Sequence, residues 1–159
     1  MRAEYIREKA SQVIAAASCR DPFEAARLAG VKVTFKDLGS LKGAYFPAFE
    51  TPVIAVNQSL DDNMKKIICA HELGHHMLHG RTARSCRELR FDSTAGILER
   101  EANIFAAAFL IDYDRALSFL KDGYTIDQTA AILETSAQLL KFFLSLYGIA
   151  QAPYGSFLK

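Results

Sequence analysis

The sequence predicts an α+β fold, in which helices flank a small, mainly antiparallel sheet and the C-terminal part is helical. Three observations support this class: β-rich segments cluster between residues 31 and 56, helical patterns lie on both sides, and the last third of the chain is helical throughout. The chain has 159 residues and no internal repeat. We therefore expect one domain over residues 1–159, with a core over 1–111 and a helical subdomain over 112–159.

The first third of the chain predicts two helices and three strands. Residues 3–18 repeat Ala, Ile and Val at helical spacing and indicate the first helix. Asp21-Pro22-Phe23-Glu24 combines a capping residue, a proline and an acidic residue in the order typical of a helix start. Gly30 ends this second helix. β-branched and aromatic residues then predict three strands, over 31–35, 44–46 and 53–56.

The remainder of the chain predicts helices separated by one long loop. Ser59 or Asp61 begins a helix that runs to about His79 and ends at Gly80. Residues 81–95 show no regular period and are predicted to form a loop. Four further helices are predicted, over 96–111, 113–121, 126–134 and 136–147.

Composition and charge narrow the functional class. Half of the residues are hydrophobic and the net charge is +1, so nothing in the total charge calls for a nucleic-acid partner. The last two helices are spaced like a helix-turn-helix unit, but the second carries one positive charge, Lys141, and direct DNA binding is not expected. The apolar run at 13–17 is too short for a signal peptide or a membrane span, so we expect a cytoplasmic protein.

The strongest functional signal is His71-Glu72-Leu73-Gly74-His75, an H-E-x-x-H run inside the long predicted helix. Residues four apart lie on one face of a helix, so the two imidazoles can bind one zinc ion. The intervening Glu72 can then act as a general base on water at the metal. His76 and His79 are predicted to be ordinary packed or exposed histidines. The motif indicates a zinc peptidase.

A third protein ligand is needed, because catalytic zinc usually takes three ligands and a water. The predicted helix over 96–111 offers Glu99 and Glu101, which point to opposite sides. We favour Glu99 because Asn103, four residues on, shares its face and can hydrogen-bond a ligand histidine. Glu101 stays the alternative ligand, and an ordinary helix-surface asparagine stays the alternative for Asn103.

These segments resemble the ImmA/IrrE family of zinc metallopeptidases. The resemblance is carried by the H-E-x-x-H motif, by Glu99-Arg100-Glu101-Ala102-Asn103-Ile104-Phe105-Ala106-Ala107, and by the upstream Pro52-Val53-Ile54-Ala55-Val56-Asn57. It implies zinc ligands at His71, His75 and Glu99, and a catalytic glutamate at Glu72. The implied fold is a minimal zincin, in which the small sheet packs on the motif helix within a catalytic core over 1–111.

The same resemblance implies a zinc-dependent endopeptidase that cleaves a partner helix-turn-helix transcriptional repressor, in mobile-element or stress-response control. A docking module that binds and inactivates a repressor without cleaving it is the alternative, and a DNA-binding regulator is a third reading. A zincin binds its substrate as an extra strand, so we expect residues 44–47 or 53–56 to offer a free sheet edge.

Overall fold

The computed structural model describes residues 2–48, 50–80, 84–86, 89–91 and 95–149, with 84–86 described by their backbone. These residues form seven helices and four strands. In chain order the elements are α1 (Arg2–Ala17), α2 (Pro22–Leu28), β1 (Lys32–Lys36), β2 (Gly43–Phe46), β3 (Val53–Asn57), α3 (Asp62–His79), β4 (Arg84–Cys86), α4 (Ile97–Leu110), α5 (Tyr113–Lys121), α6 (Ile126–Ile132) and α7 (Ala137–Ser145). The α+β class is confirmed.

The four strands form one mixed sheet in the order β1-β3-β2-β4. β1 pairs in parallel with β3, while β2 pairs antiparallel with both β3 and β4, so the sheet is mainly antiparallel as predicted. The Asn57 side chain donates to the carbonyl oxygens of Gly39 and Leu41 at 3.2 and 2.8 Å. These bonds fix the connection that carries the chain from β1 past β3 to β2.

Two sequence predictions about the sheet are wrong. β4 lies inside the loop predicted at 81–95, where three residues pair with β2; residues 81–83, 87–88 and 92–94 of that loop lie outside the described part. The segment 53–56 offers no free edge, because β3 pairs with β1 on one side and β2 on the other; within 44–47, Ala44 and Tyr45 pair with both β3 and β4. The described edges are β1 and β4.

Helix α3 occupies the centre of this part of the molecule. Asp61 caps it by accepting a hydrogen bond from the Met64 amide at 2.9 Å. Its middle, from Ile67 to His75, is buried without interruption, and the helix packs against β2, β3, α2 and α4. Charged and polar side chains are rarely buried in the middle of a helix, so the burial of two histidines and a glutamate here indicates a specific local role for them.

Gly74 sets the distance between α3 and α4. An added Cβ there would lie 3.2 Å from the Cα and carbonyl oxygen of Ala102 and 3.2 Å from Cβ of Phe105. A glycine inside a helix costs about 1 kcal/mol relative to alanine. Here it lets the two helix backbones approach closely, and that approach brings the start of α4 next to the histidines of α3.

The chain divides after Leu110 into two compact units. In the second unit, α5, α6 and α7 begin at side-chain caps provided by Asp112, Thr125 and Ser136. Most of α7 is buried, namely Leu139, Leu140, Phe142, Phe143 and Leu144. That the whole chain forms one folding domain stays a prediction. No helix within the described ranges is long and apolar enough to cross a membrane.

Candidate metal centre

Three side chains from two neighbouring helices converge on one point. His71 and His75 lie one turn apart on α3, with their Nε2 atoms 3.2 Å from each other. Glu99, in the first turn of α4, places Oε2 3.2 Å from His71 Nε2 and Oε1 3.3 Å from His75 Nε2. Both histidines are buried, while the Glu99 side chain is 40% exposed. The cluster is therefore buried at the two histidines and partly open to solvent at Glu99.

The spacing of these atoms fits a divalent metal ion. A tetrahedral zinc ion with bonds of about 2.0–2.1 Å holds its ligand atoms roughly 3.3 Å apart. The observed separations of 3.2–3.3 Å match this value. Two imidazole nitrogens and one carboxylate oxygen also form a donor set that suits such an ion. Across the described residues, this is the group of His, Cys, Asp or Glu side chains whose arrangement can hold a metal.

Glu99 and Glu101, the two candidates for the third ligand, lie in different surroundings. Contact with the ring nitrogens of His71 and then His75 holds the pKa of the Glu99 carboxyl well below its usual range. Glu101 points away from this cluster and pairs with Arg2 and with His79. The structure thus brings Glu99 to the paired histidines and leaves Glu101 outside the ligand group.

Glu72 is buried beside this cluster. It is completely inaccessible to solvent, and neither carboxylate oxygen has a hydrogen-bond partner within the described part of the chain. Burial, reinforced by the charge of Glu99 and opposed by His71, raises the pKa of Glu72 to about 7. A side chain at Gly43 on β2 would overlap Ile68 and approach Glu72 Oε1 within 3.2 Å. The glycine therefore leaves room for a carboxylate that is ready to accept a proton near neutral pH.

Asn103 contacts the ring nitrogen of His71 that faces away from the cluster. His71 Nδ1 and Asn103 Oδ1 are 2.9 Å apart, and Asn103 Nδ2 donates to the Arg90 carbonyl oxygen at 2.7 Å. The bond to the carbonyl oxygen fixes the orientation of the amide, so its oxygen faces His71. The Nδ1 proton of His71 is then donated to Asn103, and Nε2 is left free for a metal.

A family profile, described as the IrrE N-terminal-like domain, matches residues 26–145 of the chain. The chain belongs to this peptidase family. The match confirms the resemblance to ImmA/IrrE proteins and covers both helices of the cluster, α3 and α4. Membership indicates a metallopeptidase-type protein that uses a divalent metal and acts on a protein substrate.

Two relatives of this IrrE-like chain are informative. The protein named Metallopeptidase ImmA from Bacillus subtilis (strain 168) is 25% identical over 152 residues, which cover 90% of this chain and 86% of that protein. The protein named Uncharacterized immunity region protein 2 from Bacillus phage phi105 is 27% identical over 120 residues, covering 75% of this chain and 76% of that protein. Both alignments extend over most of each protein.

His79 is the residue of this IrrE-like site that the sequence interpretation missed. Its Nδ1 lies 3.0 Å from His75 Nδ1, and its Nε2 lies 3.0 Å from Glu101 Oε2. The spacing of four between His75 and His79 was a visible signal, since it places both on one helix face. His76, by contrast, contacts the hydroxyl of buried Tyr45 at 2.9 Å.

The buried charge of Glu72 leads to a stability prediction for the metal-free protein. The raised pKa means that the unfolded chain ionises this carboxyl from about pH 4.5, while the folded chain keeps it protonated until about pH 7. Glu72→Gln removes this penalty, which grows as pH rises. We expect the variant to be more stable by about 1 kcal/mol or less at pH 5 and by about 2–3 kcal/mol at pH 8.

Urea unfolding in the presence of a chelator, at both pH values, measures this difference. A variant that is less stable than wild type at pH 8, or a difference that does not grow between pH 5 and pH 8, would show that Glu72 carries no such penalty.

Proposed function

We propose that this chain is a zinc-dependent endopeptidase whose substrate is a helix-turn-helix transcriptional repressor. The observation that carries the proposal is a buried carboxylate without a hydrogen-bond partner in the described structure, Glu72, beside two imidazoles and a carboxylate spaced to hold one metal ion. The three proposed metal ligands are His71, His75 and Glu99. Zinc is the proposed metal, because two histidines and one glutamate form a donor set typical of zinc hydrolases.

The proposal gives a separate role to the bound metal, to Glu72 and to Asn103. When bound, the metal supplies Lewis acidity that activates water and polarises the scissile carbonyl. Glu72 takes a proton from the attacking water and delivers it to the leaving amine. A pKa of about 7 suits both tasks, because the group can accept and release a proton at neutral pH. Asn103 holds His71 in the tautomer and orientation that metal binding requires.

The choice of substrate rests on the family and on the names of the relatives. The resemblance to ImmA/IrrE proteins implies cleavage of a repressor, and one relative is named as an immunity region protein of a phage. A repressor encoded beside this gene is therefore the substrate to test. Incubation of the two purified proteins with zinc, followed by mass spectrometry of intact products, should reveal one defined cut that a chelator abolishes. A repressor that stays intact, or a cut that persists with the chelator, would contradict the proposal.

Two alternatives have less support. A docking module that inactivates a repressor without cleavage has no need for a buried glutamate that lacks a hydrogen-bond partner among the described residues, and such a group costs stability. A DNA-binding regulator needs an exposed, basic recognition helix. The α7 helix instead buries most of its residues and carries Lys141 as its one charged residue.

A further inference from the structure

A chain of three side chains extends outward from His75. His75 Nδ1 contacts His79 Nδ1 at 3.0 Å, and His79 Nε2 contacts Glu101 Oε2 at 3.0 Å. Glu101 in turn accepts two hydrogen bonds from Arg2, one from Nε to Oε1 and one from Nη2 to Oε2 at 2.8 Å. These residues come from the end of α3, the first turns of α4 and the start of α1. They connect one proposed metal ligand to Arg2, at the start of the first helix.

We propose that His79 and Glu101, held by Arg2, are positioning residues that fix the ring of His75 for metal binding. The proposal rests on the metal site proposed above and adds a role for residues outside the ligand group. Its function is to orient a ligand, not to contact substrate or metal.

The hydrogen bonds of this chain can run in one direction. With Nε2 of His75 directed at the cluster, Nδ1 of that ring keeps its proton and donates it to His79 Nδ1. His79 then carries its own proton on Nε2 and donates it to the carboxylate of Glu101. Every donor thus has an acceptor. The chain fixes the tautomer of His75 in the form that binds a metal.

Burial makes this arrangement specific. The His79 side chain is 5% exposed and that of Glu101 is 6% exposed, so each depends on its partners for hydrogen bonding. Arg2 keeps the carboxylate ionised, and its hydrogen bonds lower the pKa of Glu101. A buried carboxylate that accepts from an imidazole makes that imidazole a better acceptor toward the next ring, which strengthens the hold on His75.

The two proposed histidine ligands are therefore supported differently. His71 is oriented by a neutral amide that is fixed by a backbone carbonyl, whereas His75 is oriented by a second imidazole, a carboxylate and a guanidinium. A purely structural explanation also exists for part of this series of hydrogen bonds, since the pair of Arg2 and Glu101 connects α1 to α4. That explanation gives no role to the contact between His79 and His75, so a measurement of metal affinity distinguishes the structural explanation from the positioning role.

The test is the zinc dissociation constant, measured by competition with a chromophoric chelator on the full-length protein. We expect His79→Ala to bind zinc roughly 10–100-fold more weakly than wild type, the range typical of groups that support a ligand histidine. His79→Gln keeps one acceptor and one donor and should recover most of this loss. Glu101→Gln should weaken binding by roughly 10-fold, the lower end of that range. The visible absorption spectrum of the cobalt-loaded protein should change in His79→Ala.

Two matched controls accompany these variants. His76→Ala removes a histidine from the same helix that contacts Tyr45 and no proposed ligand, and it should leave the zinc dissociation constant unchanged. Glu24→Gln makes the same exchange as Glu101→Gln in a surface pair with Arg27, which has the same two-bond geometry as the pair of Arg2 and Glu101. It too should leave zinc binding unchanged. Urea unfolding of every variant without metal separates lost affinity from lost stability.

The positioning role would be overturned if wild type binds zinc tightly and His79→Ala has a zinc dissociation constant within twofold of it, with an unaltered cobalt spectrum. That result would leave the proposed metal site intact. If His79→Ala does not fold, Glu101→Gln decides the question: weaker zinc binding supports the role, and wild-type affinity overturns it. A wild-type protein without stoichiometric zinc would overturn the metal site and this inference together. Failure to cleave a repressor bears on the proposed function alone.

Discussion

Glu72→Gln is expected to lower the rate of repressor cleavage by about 10²–10⁴-fold, the range typical for loss of a general base. Glutamine has nearly the same shape but cannot accept a proton from the attacking water. The three proposed metal ligands are unchanged, so one metal ion per chain should stay bound. Single-turnover cleavage of a repressor that the wild-type protein cuts, followed by metal analysis of the same sample, measures both effects.

The same exchange at Glu24 is the matched control for this variant. Glu24 lies in the first turn of α2 and pairs with Arg27 at the surface. Glu24→Gln should cleave at the wild-type rate. Wild-type activity in Glu72→Gln would exclude the carboxylate as the base, and loss of the metal from Glu72→Gln would assign its effect to the metal site.

Glu99→Gln is expected to weaken metal binding by more than the roughly 10–100-fold that loss of a supporting group typically costs. The Glu99 carboxylate lies within 3.3 Å of both histidine Nε2 atoms, and its replacement removes the charged member of the donor set. Glu101→Gln, two residues on, provides the comparison because it removes the same charge outside the ligand group. Zinc competition should therefore rank wild type first, Glu101→Gln second and Glu99→Gln last.

The order of the two glutamate variants decides between the candidates. Equal losses in both variants, or a greater loss in Glu101→Gln, would contradict the assignment of Glu99 as the ligand. Circular dichroism of the metal-free proteins checks that both variants keep their helices.

Most helix ends could be predicted because their signals are local. The caps at Asp21, Asp61 and Thr125 contact amides two or three residues away, so the sequence contains both partners. The strands β1, β2 and β3 were likewise predicted within one residue. β4 was not, since three residues carry no detectable period and their conformation depends on pairing with β2. Which strands form the edges depends on the same long-range pairing.

The features of the site divide in the same way: some follow from local spacing in the sequence, and others depend on contacts between distant segments. His71, Glu72 and His75 are defined by their spacing on one helix, and the choice of Glu99 followed from its spacing to Asn103. The contacts of Glu101 with His79 and Arg2 could not be predicted, because they depend on how α1, α3 and α4 pack. The same holds for the burial of Glu72, which gives this carboxylate its raised pKa.

The most direct test of the account is a crystal structure of the zinc-loaded protein with anomalous diffraction at the zinc edge. We predict one zinc ion about 2.0–2.2 Å from Nε2 of His71, Nε2 of His75 and a carboxylate oxygen of Glu99. The Glu72 carboxylate should lie next to the fourth coordination position of that ion. A zinc ion bound elsewhere, or held by Glu101 in place of Glu99, would contradict it.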